Sequence, residues 1–342
     1  MTRLDMRRIR EAHEMISPLF RDTPQYACAS LGKALGCEVI LKVETLNPIR
    51  CFKARGTEVA ISRLTRAEDF DPIKTSAVCA SAGNLGQALA FSGRARNVPT
   101  VVVASAQAST NKLERIRALG ASLRLVDGDI ETARHEAGKI ADHEGFFLIE
   151  DSENIDTCEG AATIGLELLG YPDDLDVVLV ALGGGAMATG IGHVFKQASR
   201  QTEIVCVQPA GAPAMTLSWR AKKVIETPTI NTIADGVAGR CPIPEVLADL
   251  LEVADDTILT QESSLIRGMQ LILEHTGLVA EPSAALGVAA VLEDPPRFAG
   301  KRVAFVLCGS NVDPDHFHKW MQQDLESRPV GPLSDLDGAI NR

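Results

Sequence analysis

The strongest constraint on the fold is an alternation. Between residues 76 and 149, short apolar runs and helical stretches take turns. The runs 76–80, 100–104, 122–126 and 146–149 have strand length. Stretches 85–95, 109–119 and 130–143 have the helical pattern, and Gly120 stops the second of them. Strands joined in this way by helices lie parallel, with the helices on the faces of the sheet. A second series follows: helix 160–169, strand 177–181, helix 188–198, strand 203–208. Residues 209–239 are rich in Gly, Pro and Ala and form a long loop around a helix at 215–221. Helix 245–252, strand 256–259, helices 261–276 and 283–292, strand 302–307 and helix 314–321 complete it. Upstream stand an amphipathic helix over 3–19, a strand over 38–44 and a helix over 53–64. The pattern predicts an α/β fold of two domains, each an open, mostly parallel twisted sheet flanked by helices. The larger domain is expected to take residues 1–65 and 156–325, the smaller 66–155, with 326–342 a tail.

Composition narrows the function. The 342 residues are 45% hydrophobic and 23% charged, as in ordinary soluble globular chains. A net charge of −11 argues against general binding to nucleic acid or to anionic membranes. No apolar run reaches the ~20 residues that span a bilayer. The N-terminus is basic without an apolar segment after it, so no signal peptide is expected. Eight cysteines lack C-x-x-C spacing and a histidine cluster, so a zinc site is not expected. They suit a reducing, cytoplasmic setting, mostly as small core residues; Cys79 and Cys206 fall inside apolar strands.

Four short stretches carry the chemistry. Cys51-Phe52-Lys53-Ala54-Arg55-Gly56 places a lysine at the opening of a helix, after a strand and the turn Asn47-Pro48. Burial and the positive helix end could strip its proton and make it a nucleophile. A lone lysine is more often a solvated one. Ser81-Ala82-Gly83-Asn84-Leu85-Gly86-Gln87 follows a strand and opens a helix, so its backbone N–H groups can meet an anion. Gly183-Gly184-Gly185-Ala186-Met187 does the same and can form an N–H nest for a phosphate. Cys308-Gly309-Ser310-Asn311 ends a strand. Dinucleotide binding is the rival: Gly183, Gly185 and Ala188 fit G-x-G-x-x-A. That motif wants an acidic residue at the end of the next strand, and this strand ends in Gln208. An NAD-dependent oxidoreductase is therefore the weaker alternative.

In this order, and with Thr232-Ile233-Ala234-Asp235-Gly236 and Glu281-Pro282-Ser283-Ala284-Ala285, the motifs resemble the fold type II pyridoxal-phosphate enzymes. The group they are similar to is the threonine/serine dehydratases, with serine racemase a near relative. The resemblance covers roughly residues 6–321. It implies a tryptophan synthase β-like fold, in which the large domain holds the cofactor and the small one closes over an amino-acid substrate. It also implies that Lys53 carries pyridoxal phosphate as a Schiff base and takes the Cα proton, with Phe52 beside the ring. Ser81, Ala82, Gly83, Asn84 and Leu85 would grip the substrate carboxylate, Asn84 also meeting the ring hydroxyl. Gly183, Gly184, Gly185, Ala186 and Met187 would hold the phosphate, and Cys308 would sit at the pyridine nitrogen. Glu281 and Asp235 would line the pocket, and Arg240 could meet a substrate β-carboxylate.

Departures matter as well. Leu85 stands where the family has histidine, and Ala186 where it has a fourth glycine. Ala82 replaces the serine that reprotonates the second face in the racemase. Gln208 and Ala214 replace that branch's carboxylate metal ligands, so no divalent site is expected. The expected reaction is β-elimination from a β-hydroxy amino acid such as threonine or serine, giving a 2-keto acid and ammonia. Phenylserine and 3-hydroxyaspartate stay open as substrates. The alternatives are a racemase of the same fold and a cofactor-binding chain without catalysis. A homodimer is expected, and no regulatory domain after Met321, where too little chain remains.

Overall fold

A computed structural model describes residues 1–198 and 201–324. The first elements are α1 (Met6–Met15), β1 (Gln25–Ala27), α2 (Ala29–Leu35), β2 (Glu38–Val43) and α3 (Ala54–Leu64). Next come β3 (Ala77–Ala80), α4 (Asn84–Ala95), β4 (Thr100–Ser105), α5 (Thr110–Ala118), β5 (Ser122–Val126), α6 (Ile130–Glu144) and β6 (Phe147–Leu148). The chain then forms α7 (Ile155–Leu169), β7 (Val177–Ala181), α8 (Ala186–Ala198), β8 (Glu203–Pro209) and α9 (Ala214–Ala221). It closes with α10 (Pro244–Val253), β9 (Asp256–Thr260), α11 (Glu262–Thr276), α12 (Leu286–Glu293), α13 (Pro295–Phe298), β10 (Arg302–Leu307) and α14 (Pro314–Met321).

Two sheets result. Six strands lie in the order β1-β2-β10-β7-β8-β9, and four in the order β5-β4-β3-β6. Among the described strands only β1 runs antiparallel, against β2, and every other strand pairing is parallel. The α/β architecture of two mostly parallel sheets is therefore the observed one. Central strands β2, β7, β8 and β10 are buried over nearly their whole length, which their unbroken Val, Ile and Leu runs require once helices cover both faces. The four-stranded sheet has its own smaller core around Cys79, Leu89, Val102 and Ile116.

Several boundaries differ from the pattern. α1 ends at Met15, and Ile16 is already extended ahead of Pro18. α7 starts at Ile155, five residues before the apolar period begins at Gly160, because its first turn is polar. The stretch 283–292 divides into a 3-10 turn at Pro282–Ala285 and α12, since Pro282 can only begin a helix. β1 and α2 are additional to the expected elements. The tail expected at 326–342 lies outside the described residues. Among the described residues, no helix is long and apolar enough to cross a membrane.

Candidate active site

The site starts where β2 hands over to α3. The Asn47 side-chain amide donates to the Glu44 and Cys51 carbonyls at 2.9 and 3.1 Å, folding the turn on itself. Cys51 then bridges Gly309, and the Phe52 N–H donates to the Cys308 carbonyl at 3.1 Å. The chain is thereby stitched to the end of β10, and Lys53 follows at the N-cap of α3. Its Nζ lies 4.6 Å from the centre of the Phe52 ring. It donates to both oxygens of Asp151, at 2.6 and 2.5 Å.

What holds α3 in place is ionic and buried. The Arg55 guanidinium has no exposed surface. It donates twice to Glu44, both at 2.8 Å, and twice to Glu167, at 2.5 and 2.9 Å. Lys42 from β2 adds a bond to Glu167 at 2.5 Å. Burial alone would favour a neutral Glu167, but Arg55 and Lys42 outweigh it and hold the carboxyl down at about 2. The lattice ties β2, α3 and α7 together beneath Lys53. α3 and α7 also cross backbone to backbone: a Cβ on Gly160 would lie 2.4 Å from the Arg55 carbonyl oxygen.

Two turns form the walls of the cleft. At the start of α4, the Gly83 N–H donates to Ser81 Oγ at 3.0 Å, and no side chain caps the helix. Its first N–H groups are thus available to an anion. Asn84 is fixed from both ends: it donates to Glu281 at 2.9 Å and accepts from Asn311 at 2.8 Å. Asn311 also gives its backbone N–H to Glu281 at 2.9 Å. Burial, then the charge of Asp235, push the Glu281 carboxyl up to about 7. The second turn links β7 to α8. Gly185 sits at φ +113°, which glycine alone adopts without strain. The Ala186 N–H, first of α8, donates to the buried hydroxyl of Ser152 at 3.2 Å.

The cleft between the turns has a volume of about 380 Å³. Lys53, Ser81, Ala82, Gly83, Asn84, Leu85, Gly183, Gly184, Asp235 and Glu281 line it. Phe52, Gly185, Ala186, Met187 and Cys308 lie behind that lining. Cys308 is buried at the end of β10, and burial and then Glu281 drive its thiol well above the usual range. Arg240 is not among the lining residues: its guanidinium pairs with Asp129 at 3.1 Å. Arg134, on the second turn of α6, does line the cleft. Gln208 lines it too and accepts the Thr216 N–H at 2.9 Å. Among the described residues, the one trio with metal-ligand spacing is His13, Asp22 and Glu167, on the side of Arg55 and Lys42.

Asp151, Ser152, Arg134, Asn311 and Lys112 were not singled out as site residues from sequence. Asp151 and Ser152 carried one usable signal, since they follow a parallel strand at its C-terminal end, where α/β sheets bind ligands. An amine, a nest of N–H groups at the start of a long helix and a cleft of this size suit a phosphorylated aldehyde. Lys53 would hold its carbonyl carbon, the 183–186 turn its phosphate and Asn84 its ring hydroxyl.

Comparison with known proteins agrees. The family model for pyridoxal-phosphate dependent enzymes matches residues 16–309. L-threonine ammonia-lyase of Thermotoga maritima is 29% identical over 306 residues, 89% of this chain and 75% of that protein. L-threo-3-hydroxyaspartate ammonia-lyase of Saccharomyces cerevisiae is 29% identical over 304 residues, 89% of this chain and 92% of that protein. The structure of maize serine racemase superposes with a TM-score of 0.85 at 26% identity, covering 93% of this chain and 97% of that one. With Lys53 at its helix start and both glycine-rich turns around one cleft, the chain belongs to the pyridoxal-phosphate dependent enzymes of fold type II, in the threonine/serine dehydratase group that has serine racemase nearby.

Proposed function

We propose that this chain is an ammonia-lyase that removes the β-hydroxyl of a β-hydroxy amino acid and releases a 2-keto acid and ammonia. The observation that carries the reading is Lys53, whose Nζ enters a cleft walled by the two anion-binding turns. Pyridoxal phosphate, when bound, supplies the electron sink for a carbanion at Cα. The chain supplies the rest. The uncapped start of α4 receives the substrate carboxylate. The Asn84–Glu281–Asn311 network keeps that turn from rotating. Lys53, once its Nζ is free, accepts the Cα proton. The β-hydroxyl departs as water, and the released enamine hydrolyses.

The choice of substrate rests on charge. Lys53 pairs with Asp151 in the cleft, and Lys112 with Asp235 at its mouth. Glu281 is driven toward neutrality by its burial. That leaves Arg134, whose salt-bridge partner Glu131, at 3.1 Å, is not a lining residue. An anionic β-substituent, as in 3-hydroxyaspartate, is the favoured class. Arg240 contributes indirectly, by holding the Asp129 cap of the helix that carries Arg134. Threonine, serine, phenylserine and 3-hydroxyaspartate, assayed for keto acid with wild type, Arg134→Ala and Arg240→Ala, test both parts. Loss of one charged hydrogen bond, about 1.5–3 kcal/mol, lowers kcat/KM roughly tenfold to a hundredfold. Arg134→Ala should show that loss on 3-hydroxyaspartate alone, and Arg240→Ala a uniform change. No keto acid from any of the four would end the lyase reading.

Racemisation is the second reading, favoured by the match to maize serine racemase. Ala82 speaks against it, because its methyl group has no proton to deliver to the second face of Cα.

A further inference from the structure

We propose that Asp151 is the acid that protonates the departing β-hydroxyl, using the proton that Lys53 takes from Cα; this rests on the lyase reading above. Elimination has a proton problem. The Cα–H bond surrenders a proton to a base, and the β-oxygen needs one to leave as water rather than hydroxide.

The geometry offers one carboxylate for this. Three carboxylates line the cleft: Asp151, Asp235 and Glu281. Glu281 accepts from Asn84 and Asn311, and Asp235 is paired with Lys112. Among the described residues, only Asp151 hydrogen-bonds to Lys53 Nζ, with both oxygens. It also stands toward the phosphate turn: a Cβ on Gly184 would lie 3.7 Å from Asp151 Oδ2 and 2.5 Å from Ser152 Oγ. Its backbone is pinned, since Thr157 Oγ1 donates to the Asp151 carbonyl at 2.5 Å. The side chain is 25% exposed, so it faces the cavity rather than the core.

The step balances. The Cα–H electron pair becomes the new Cα–Cβ π bond. The Cβ–O pair leaves with oxygen. The proton passes from Cα to Nζ, from Nζ to the Asp151 carboxylate, and from there to the oxygen, which departs as water. No oxidant or outside acid enters.

A leaving group that needs no proton separates this role from a structural one. Asp151→Asn holoenzyme is assayed on the best β-hydroxy substrate and on β-chloro-L-alanine, which loses chloride unprotonated. General acid catalysis contributes at least about a hundredfold. The expected result is a fall in kcat of that size on the hydroxy substrate, with little change in KM. Turnover of β-chloro-L-alanine stays within about threefold, since no general-acid contribution is lost there. Asp151→Glu, which keeps a carboxyl, should recover part of the loss. Equal losses on both substrates, or no loss on either, overturn the proposal. Wild type inert toward every β-hydroxy compound but active on the chloride would instead overturn the lyase reading. A readout independent of turnover is acetylation of Lys53 in the cofactor-free chain, mapped by peptide mass spectrometry. Asp151→Asn should label several-fold faster, because the carboxylate no longer occupies Nζ; equal rates refute the contact.

Discussion

Replacing Arg55 by methionine tests whether the buried ionic lattice sets the position of Lys53. In the native chain Lys42 and Arg55 face Glu44 and Glu167, two positive charges against two negative, all nearly inaccessible. Arg55→Met removes one positive charge and four bonds to carboxylates, and strips the donors facing Thr163 and Thr23. Glu44 and Glu167 are then left with Lys42 and the partly exposed His13. Breaking a buried pair from one side costs about 3–5 kcal/mol. At roughly 3 °C per kcal/mol, the unfolding midpoint should drop by about 10–15 °C. Far-UV circular dichroism on the cofactor-free chain measures it. Arg55→Met combined with Glu167→Met restores the balance of charge, since Lys42 and Glu44 remain, and should recover more than half of the loss. A single variant that melts within about 2 °C of wild type would refute the reasoning, as would a double variant whose loss equals the sum of the singles.

Lys53→Ala should lower ammonia release by at least about a thousandfold, the scale on which single catalytic groups act. It should also abolish the borohydride-sensitive absorbance of the bound cofactor, while the cofactor-free chain melts as wild type does. L-serine incubated with the wild type should stay L by chiral chromatography; rapid appearance of the D form would mean that a group other than Ala82 serves the second face. Glu281 and Glu167 set opposite pH trends. Glu167, held at about 2, contributes stability above its ordinary 4.5 that is lost as pH falls through 2. Glu281, raised to about 7, contributes stability below 4.5 that is lost as pH rises through 7. From pH 5 to pH 8 the cofactor-free Glu281→Gln variant should therefore gain on wild type by about 2.5 kcal/mol, read from paired denaturant melts. A constant difference at both pH values would contradict this.

Residues 77–148 were legible because each strand there is followed at once by its crossover helix, so local periodicity and topology say the same thing. β1 was not: it has three residues, two of them exposed, and exists only through pairing with β2. The same divide runs through the site. Lys53, Asn84 and the glycines of 183–185 sit in turns that a local run of residues defines, so the motif shows them. Asp151 meets Lys53 across 98 positions, and Arg55 meets Glu167 across 112, which no local pattern encodes. Arg134 and Arg240 show the limit most plainly. Neither stands in a local motif that tells the two apart, and only the fold sets Arg134 on the cleft lining and pairs Arg240 with Asp129 at 3.1 Å.

The two sides of the cleft are held with different strengths. Under Lys53 lie a buried four-charge lattice and a backbone crossing at Gly160, where any added atom collides. Across the mouth the contacts are polar, Lys112 to Asp235, Arg115 to Asn311 at 3.2 Å, Asn111 to Asp313 at 3.4 Å and Arg240 to Asp129 at 3.1 Å, while away from the mouth α4 packs Ala88 and Phe91 against Phe20, Ala54 and Val59. Contacts of this exposed kind contribute about 0.2–1 kcal/mol each. We propose that an entering substrate parts the polar contacts at the mouth and leaves the buried lattice intact. The lysine, its aromatic neighbour and the 183–186 turn would then stay fixed relative to one another. What would change on entry is the reach of α5 and α6, which carry Lys112 and Arg134. On that proposal, chemistry common to the family belongs on the side held by the buried lattice, and selection among substrates on the side held by the polar contacts.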